Sequence, residues 1–278
     1  MIYDIHYAYF CHKGKVRYNN EDNYWCCGDS LPVDHEGSGD ILSGSTGSGD
    51  MPVLAVFDGM GGESCGEAAS GVGAQELGRV YEECGSLIAR TPKEFLSKAS
   101  ERMNKAVCDY AVEYKISSMG STMVSAAFGE KKICLCNLGD SRAYIAKGKL
   151  EQVSTDHVSR LSFWGKAPLV QYLGLAQEDG ELAPSLRELP YEDGMRILLC
   201  TDGLTDMLSQ EEIGEILLEK EAAPDAIAGR LLDKALEAGG RDNVTAVVCS
   251  VSKRGGSFWK KRFWAWLKGK KTDEKQDG

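Results

Sequence analysis

Three aspartates stand where an apolar run adjoins a glycine-containing turn: Asp58 after the run 53–57, Asp202 after 196–200, and Asp242 just before 244–251. Asp140, in Gly139-Asp140-Ser141, and the pair Glu21-Asp22 fit the same description more loosely. Carboxylates brought to one place raise each other's pKa and call for cations. Every donor in these motifs is an oxygen, with no His or Cys among them, which favours hard ions such as Mg²⁺ or Mn²⁺ over zinc. One carboxylate bridging two such ions supports two-metal chemistry, in which an acidified water attacks a phosphorus centre in line. The bland alternative is a set of unrelated turn aspartates, for which glycine is an ordinary neighbour. It leaves unexplained why each lies at a strand end.

The elements that must position these groups follow from hydrophobic period. After Asp58 come Gly59-Met60-Gly61-Gly62, where three glycines let backbone approach a ligand. Asp58 is therefore expected at the junction of a buried strand, 53–57, and an open loop. Strands are also predicted over 3–11, 24–27, 120–128, 132–138, 142–146, 150–153, 196–200 and 244–251. The turns Gly129-Glu130-Lys131 and Lys147-Gly148-Lys149 are too short for crossovers, so the sheet they join is antiparallel. Helical spacing predicts helices over 63–83, from Pro92 to about Tyr110, and over 209–219 and 224–238. Residues 28–50, rich in Gly, Ser and Asp, read as a flexible connection between two hairpin strands. The region 155–191 is less regular, and its His157 reads as a structural hydrogen bonder.

The chain has 278 residues, enough for one large domain, and 42% of them are hydrophobic. Its net charge of −10 is uneven. From Lys253 onward nine basic and three acidic residues give +6, leaving −16 for the rest. A body this acidic disfavours nucleic acid. No apolar run reaches 18 residues and no secretory pattern opens the sequence, so a cytoplasmic protein is expected. The ten cysteines form no C-x-x-C pair and lie largely in apolar segments, as reduced thiols do.

Arg17-x-x-Asn20-Glu21-Asp22, Asp58-Gly59-Met60-Gly61-Gly62, Gly139-Asp140-Ser141-Arg142, Asp156-His157, Asp202-Gly203-Leu204-Thr205-Asp206 and Gly240-Arg241-Asp242-Asn243 occur in this order. Together they resemble the metal-dependent protein phosphatases of the 2C type, over about residues 6–251, and Met60 is similar to the bacterial branch. The resemblance implies an α+β fold: a four-layer α-β-β-α sandwich of two antiparallel sheets packed face to face with helices outside. It implies a catalytic domain over 1–252, followed by a basic aromatic tail over 253–278.

The resemblance also implies roles for particular residues. Asp58 would bridge two Mn²⁺ or Mg²⁺ ions and Gly59 would offer its carbonyl to one of them. Asp202 and Asp242 would hold the other. Glu21 would act through water, with Asp22 supporting it. Asp140, with Asp202, matches the place of a third ion, and Arg17 would bind the substrate phosphate. A water bridging the ions would attack phosphoserine or phosphothreonine without a covalent intermediate. Two departures stand out: Met60 supplies no imidazole to protonate the leaving alkoxide, and the flap, 158–173, is shorter than in bacterial relatives.

The partners so implied are phosphorylated proteins, chiefly the targets of a bacterial Ser/Thr kinase and the kinase itself. One alternative is a phosphatase in an anti-sigma-antagonist switch, and another is a non-catalytic phosphoprotein-binding module. No metal carboxylate is missing, which disfavours the module. In the tail, Trp259, Phe263, Trp266 and Leu267 would share a face on a helix among Lys and Arg, a pattern suited to peripheral contact with an anionic membrane.

Overall fold

The structure, a computed structural model, describes residues 2–61, 65–160 and 167–254. The tail from 255, residues 161–166 of the flap and residues 62–64 lie outside these. Among the described residues, twelve strands form two antiparallel sheets. In the first, β3 (Leu42–Gly47), β1 (Tyr3–His12), β12 (Val244–Lys253), β11 (Arg196–Cys200), β8 (Arg142–Ala146) and β9 (Leu150–Gln152) lie side by side in that order. In the second the order is β10 (Ser185–Pro190), β7 (Lys132–Leu138), β6 (Met123–Phe128), β4 (Val53–Gly61) and β2 (Asp22–Cys26), and β5 (Met119–Ser121) pairs with the far end of β4.

Strand alternation builds three layers of core. On β4, Leu54 and Val56 face the other sheet, while Val53, Ala55 and Phe57 face helices. On β12, Val247, Cys249 and Val251 face inward, and Val244, Ala246 and Val248 face outward. Period two thus gives each central strand two apolar faces, so both sheets are covered on both sides. Helices α1 (Gly66–Cys84) and α2 (Pro92–Tyr114) cover the second sheet through Ala69, Leu77, Phe95 and Met103. Helices α3 (Asp202–Thr205), α4 (Gln210–Leu217) and α5 (Pro224–Glu237) cover the first through Leu204, Ile213 and Leu231. This is the expected four-layer sandwich. None of the ten cysteines is in a disulfide.

Several expectations are corrected. The stretch 28–50 is not wholly a flexible connection, because residues 42–47 form β3, an edge strand paired with β1. Its alternation of Ser and Gly carries no apolar period, so only the partner strand reveals it. Strand β10 lies inside the region read as irregular, paired with β7. Strand β4 continues past Phe57 to Gly61, because β5 supplies ladder partners to Gly59, Met60 and Gly61. Asp58 therefore sits within a strand and not at the start of an open loop.

Candidate functional site

The carboxylates gather at one end of the sandwich because glycines let backbones touch there. Asp58 lies directly across the ladder from Asp22. Gly59 donates its N–H to the Glu21 carbonyl at 3.0 Å. A Cβ on Gly59 would fall 2.0 Å from the Gly66 carbonyl oxygen and 2.5 Å from that of Glu21. A Cβ on Gly66 would fall 2.7 Å from the Glu21 side chain. Only glycine permits this cradle, which joins β4, the start of α1 and the loop before β2. On the other sheet, a Cβ on Gly203 would lie 1.8 Å from the Asn243 carbonyl oxygen, so Asp202 and Asp242 stand on touching backbones.

Asn243 fastens the two sheets together at this end. Its Oδ1 accepts from Glu21 N at 2.8 Å, and its Nδ2 donates to the carbonyls of Lys13 at 2.9 Å and Asn19 at 3.0 Å. Thr201 adds a second tie, donating to Asp22 Oδ2 at 2.9 Å. Asp58 N donates to Thr122 Oγ1 at 3.2 Å, and Thr122 shares a 2.6 Å hydroxyl contact with Ser141, next to Asp140. Arg142 grips Asp156 with Nε and Nη2, the latter at 2.6 Å, and so braces the Asp140 turn from behind. His157 Nδ1 accepts from Gly139 N at 3.2 Å while Nε2 meets Ser185 Oγ at 2.8 Å, the structural part expected of it.

The electrostatics follow from this crowding. Asp22 is buried, and burial pushes its carboxyl up to about 7, with Asp242 and Glu21 nearby adding to the rise. Burial likewise raises Glu21, with Glu67 and Asp242 contributing. Arg17 donates from Nη2 to Asp242 Oδ2 at 2.6 Å. Burial opposes the Arg17 charge, but Asp242, Glu21 and Asp58 outweigh it and hold the guanidinium above its usual value.

Glu21, Asp22, Asp58, Asp242 and Arg17 therefore share one electrostatic neighbourhood. Asp202 adjoins it through Thr201 and Gly203, and Asp140 through Ser141 and Thr122. Among the described residues, no group of three or more His, Cys, Asp or Glu side chains is arranged to hold a metal ion. Asp242 is turned toward Arg17 and toward its neighbour's backbone N–H, at 2.8 Å. The donor chemistry nonetheless fits hard divalent ions: carboxylate oxygens, a backbone carbonyl at Gly59, and a cradle that a side chain would fill.

Thr201, Asn243, Gly66, Gly203 and Thr122 received no role from the sequence. Asn243 and Gly203 stand beside Asp242 and Asp202 in motifs, which is the one signal that could have drawn attention to them. The flap is described only at its base, where Ser159 N donates to the Pro168 carbonyl at 2.8 Å.

A family model for protein phosphatase 2C matches residues 33–229. The serine/threonine phosphatase stp of Listeria monocytogenes is 28% identical over 261 residues, which cover 88% of this chain and 95% of that one. PstP, a serine/threonine protein phosphatase of Mycobacterium tuberculosis, is 31% identical over 89% of this chain, which spans 45% of the length of PstP. A crystal structure of the PstP catalytic domain in complex with two manganese ions superposes with a TM-score of 0.70 at 29% identity. The superposition covers 90% of this chain and all of that one.

Proposed function

The chain belongs to the protein phosphatase 2C family and is a serine/threonine protein phosphatase of the bacterial type, and we propose that it works through divalent metal ions held by the carboxylates described above. The observation that carries this reading is the pair of glycine-made backbone approaches, Gly59 on Gly66 and Gly203 on Asn243, which bring four carboxylate-bearing segments to one end of the sandwich. Four acidic segments packed so closely have a ready chemical use as a cation site, and the manganese-bound relative supports it.

Asp58 and the Gly59 carbonyl would hold one ion, with Asp58, Asp202 and Asp242 holding a second and Asp140 with Asp202 a third. When bound, the ions supply an acidified water and neutralise charge on the phosphoryl oxygens. Glu21 orients water at the edge of this group, and Asp22, gripped by Thr201, holds the β2 end in place. Arg17 presents a planar donor fork to the phosphate, leaving Asp242 to do so. Met60 has no proton to give the leaving alkoxide and both His157 ring nitrogens are engaged, so a metal-bound water or another group would supply it.

The substrates in this reading are phosphoserine and phosphothreonine proteins made by a bacterial Ser/Thr kinase. The basic aromatic tail would hold the enzyme against an anionic membrane, and no helix among the described residues is long and apolar enough to cross one. The test is manganese-dependent hydrolysis of a phosphothreonine peptide. Asp202→Asn should lower the rate by at least about a hundredfold while leaving the fold intact. Hydrolysis that is indifferent to chelator, or unchanged in Asp202→Asn, would overturn the metal assignment.

A further inference from the structure

Beside the carboxylates, β4 ends in a small ledge of two paired strands extended by a single bridge to Leu173. Its residues 59–61 pair with β5, and on the other side of β5, Ser121 N donates to the Leu173 carbonyl at 2.9 Å and Leu173 N to that of Ser121 at 2.8 Å. Gly120 sits at the centre of the ledge, opposite Met60. A Cβ there would lie 2.8 Å from Met60 Cε and 2.8 Å from Tyr172 Cδ2. Because Gly120 has none, the two side chains close over it as one apolar shelf, two residues along the strand from Asp58.

Tyr172 of this shelf also lines a groove of about 610 Å³ between the C-terminal half of α2 and the segment 172–179. This is the size of clefts that receive ligands. Its inner wall adjoins the catalytic turn directly, since a Cβ on Gly61 would lie 3.4 Å from the Ser118 carbonyl. Its outer wall carries Val112, a β-branched residue 80% exposed and off the buried face of α2. A large apolar side chain in water at the rim of a cleft marks a contact surface when it continues a site. The lining also carries both signs of charge, in Lys105, Lys115, Glu178 and Asp179, so the apolar contacts are confined to particular side chains along it.

We infer that this groove receives the substrate's own polypeptide on one side of the phosphorylated residue. The Met60–Tyr172 shelf takes the adjacent side chain and Val112 takes one farther along, so the groove selects apolar residues at these positions. This rests on the phosphatase reading above and adds where the protein part of the substrate lies. Its occupant is argued from adjacency: Met60 lies two residues along β4 from Asp58, and Gly61 abuts Ser118 of the groove wall, so the groove opens beside the carboxylates.

The test uses the full chain with Mn²⁺, p-nitrophenyl phosphate, and phosphothreonine peptides flanked by Leu and Ile on one side or the other, or by Ser and Gly throughout. Val112→Glu lies on the surface and does not threaten the fold, and Tyr172→Ala is the second variant. Val112→Glu should raise KM about five- to tenfold for the peptide whose apolar flank enters the groove. Kinetics on p-nitrophenyl phosphate and on the Ser/Gly peptide should stay within about twofold, a loss confined to one class of substrate. Unchanged kcat/KM on every peptide in both variants would overturn the proposal. So would loss of self-association in Val112→Glu with peptide kinetics intact, which would assign the groove to a second copy of the chain. The phosphatase reading fails separately, only if the wild-type protein leaves p-nitrophenyl phosphate intact.

Discussion

Asp22→Asn removes the most deeply buried carboxylate of the site and gives a stability signal whose pH dependence can be worked out beforehand. Burial raises this carboxyl from 3.8 to about 7 in the folded chain. A carboxyl whose folded value lies above its unfolded value keeps its proton longer when folded. Between about pH 4 and pH 7 the folded chain therefore binds more protons than the unfolded one, and stability falls as pH rises through that window. The destabilisation is absent below the window and complete above it. Three pH units at about 1.36 kcal/mol each give a ceiling of about 4 kcal/mol, a large share of a typical stability of about 5–15 kcal/mol.

Asparagine cannot ionise, and its Oδ1 still accepts from the Thr201 hydroxyl, so the mutant lacks this slope while keeping the tie to β11. The assay is urea unfolding of chelator-treated wild type and mutant, in steps from about pH 5 to about pH 8. Titrating groups remote from Asp22 are common to both chains and cancel in the difference, whereas Glu21 and Asp242, which raise the Asp22 carboxyl, titrate together with it. The stability of Asp22→Asn relative to wild type should rise by about 2–3 kcal/mol across that range. A constant offset from the amide is immaterial. A difference that does not change with pH would refute the claim that this carboxylate is held in the core against its charge.

Further outcomes follow from the same geometry. Gly203→Ala places a Cβ 1.8 Å from a backbone oxygen of Asn243, so the turns carrying Asp202 and Asp242 must part; a loss of about 3 kcal/mol and a drop in Tm of about 6–12 °C are expected by calorimetry. Arg17→Ala should raise KM for phosphopeptides about tenfold and leave stability within about 1 kcal/mol, because the pair with Asp242 is half exposed. Arg17→Lys should recover little of it, since an ammonium lacks the planar fork. Liposome flotation of the full chain should exceed that of a chain ending at Ser252 on anionic vesicles, and equal behaviour would remove membrane contact by the tail.

Much of the fold was legible because most strands here are central. Runs such as 53–57 and 196–200 are apolar on both faces and bounded by turns, so period and punctuation suffice. The elements that were not legible are those whose identity depends on a distant neighbour. Strand β3 has the composition of a loop and becomes a strand through β1 alone, and β10 becomes one through β7. The extension of β4 through Asp58 to Gly61 rests on β5, some sixty residues later. A local reading sees glycines there and infers an open loop, because glycine favours loops when no ladder partner intervenes.

The sequence by itself determined the chemical inventory: which carboxylates stand beside glycines next to apolar runs, that their donors are oxygens, and that Arg17 supplies a planar cation. Those properties belong to residue type and near-neighbour spacing, so they survive without coordinates. Only the tertiary structure decided which of these groups meet. Asn243 reaching Glu21 and Thr201 reaching Asp22 span 222 and 179 residues, and no local pattern encodes such pairs. The same holds for the glycines at 59, 66 and 203. Their role is to be absent of side chain where another backbone passes, and the passing backbone comes from elsewhere in the chain.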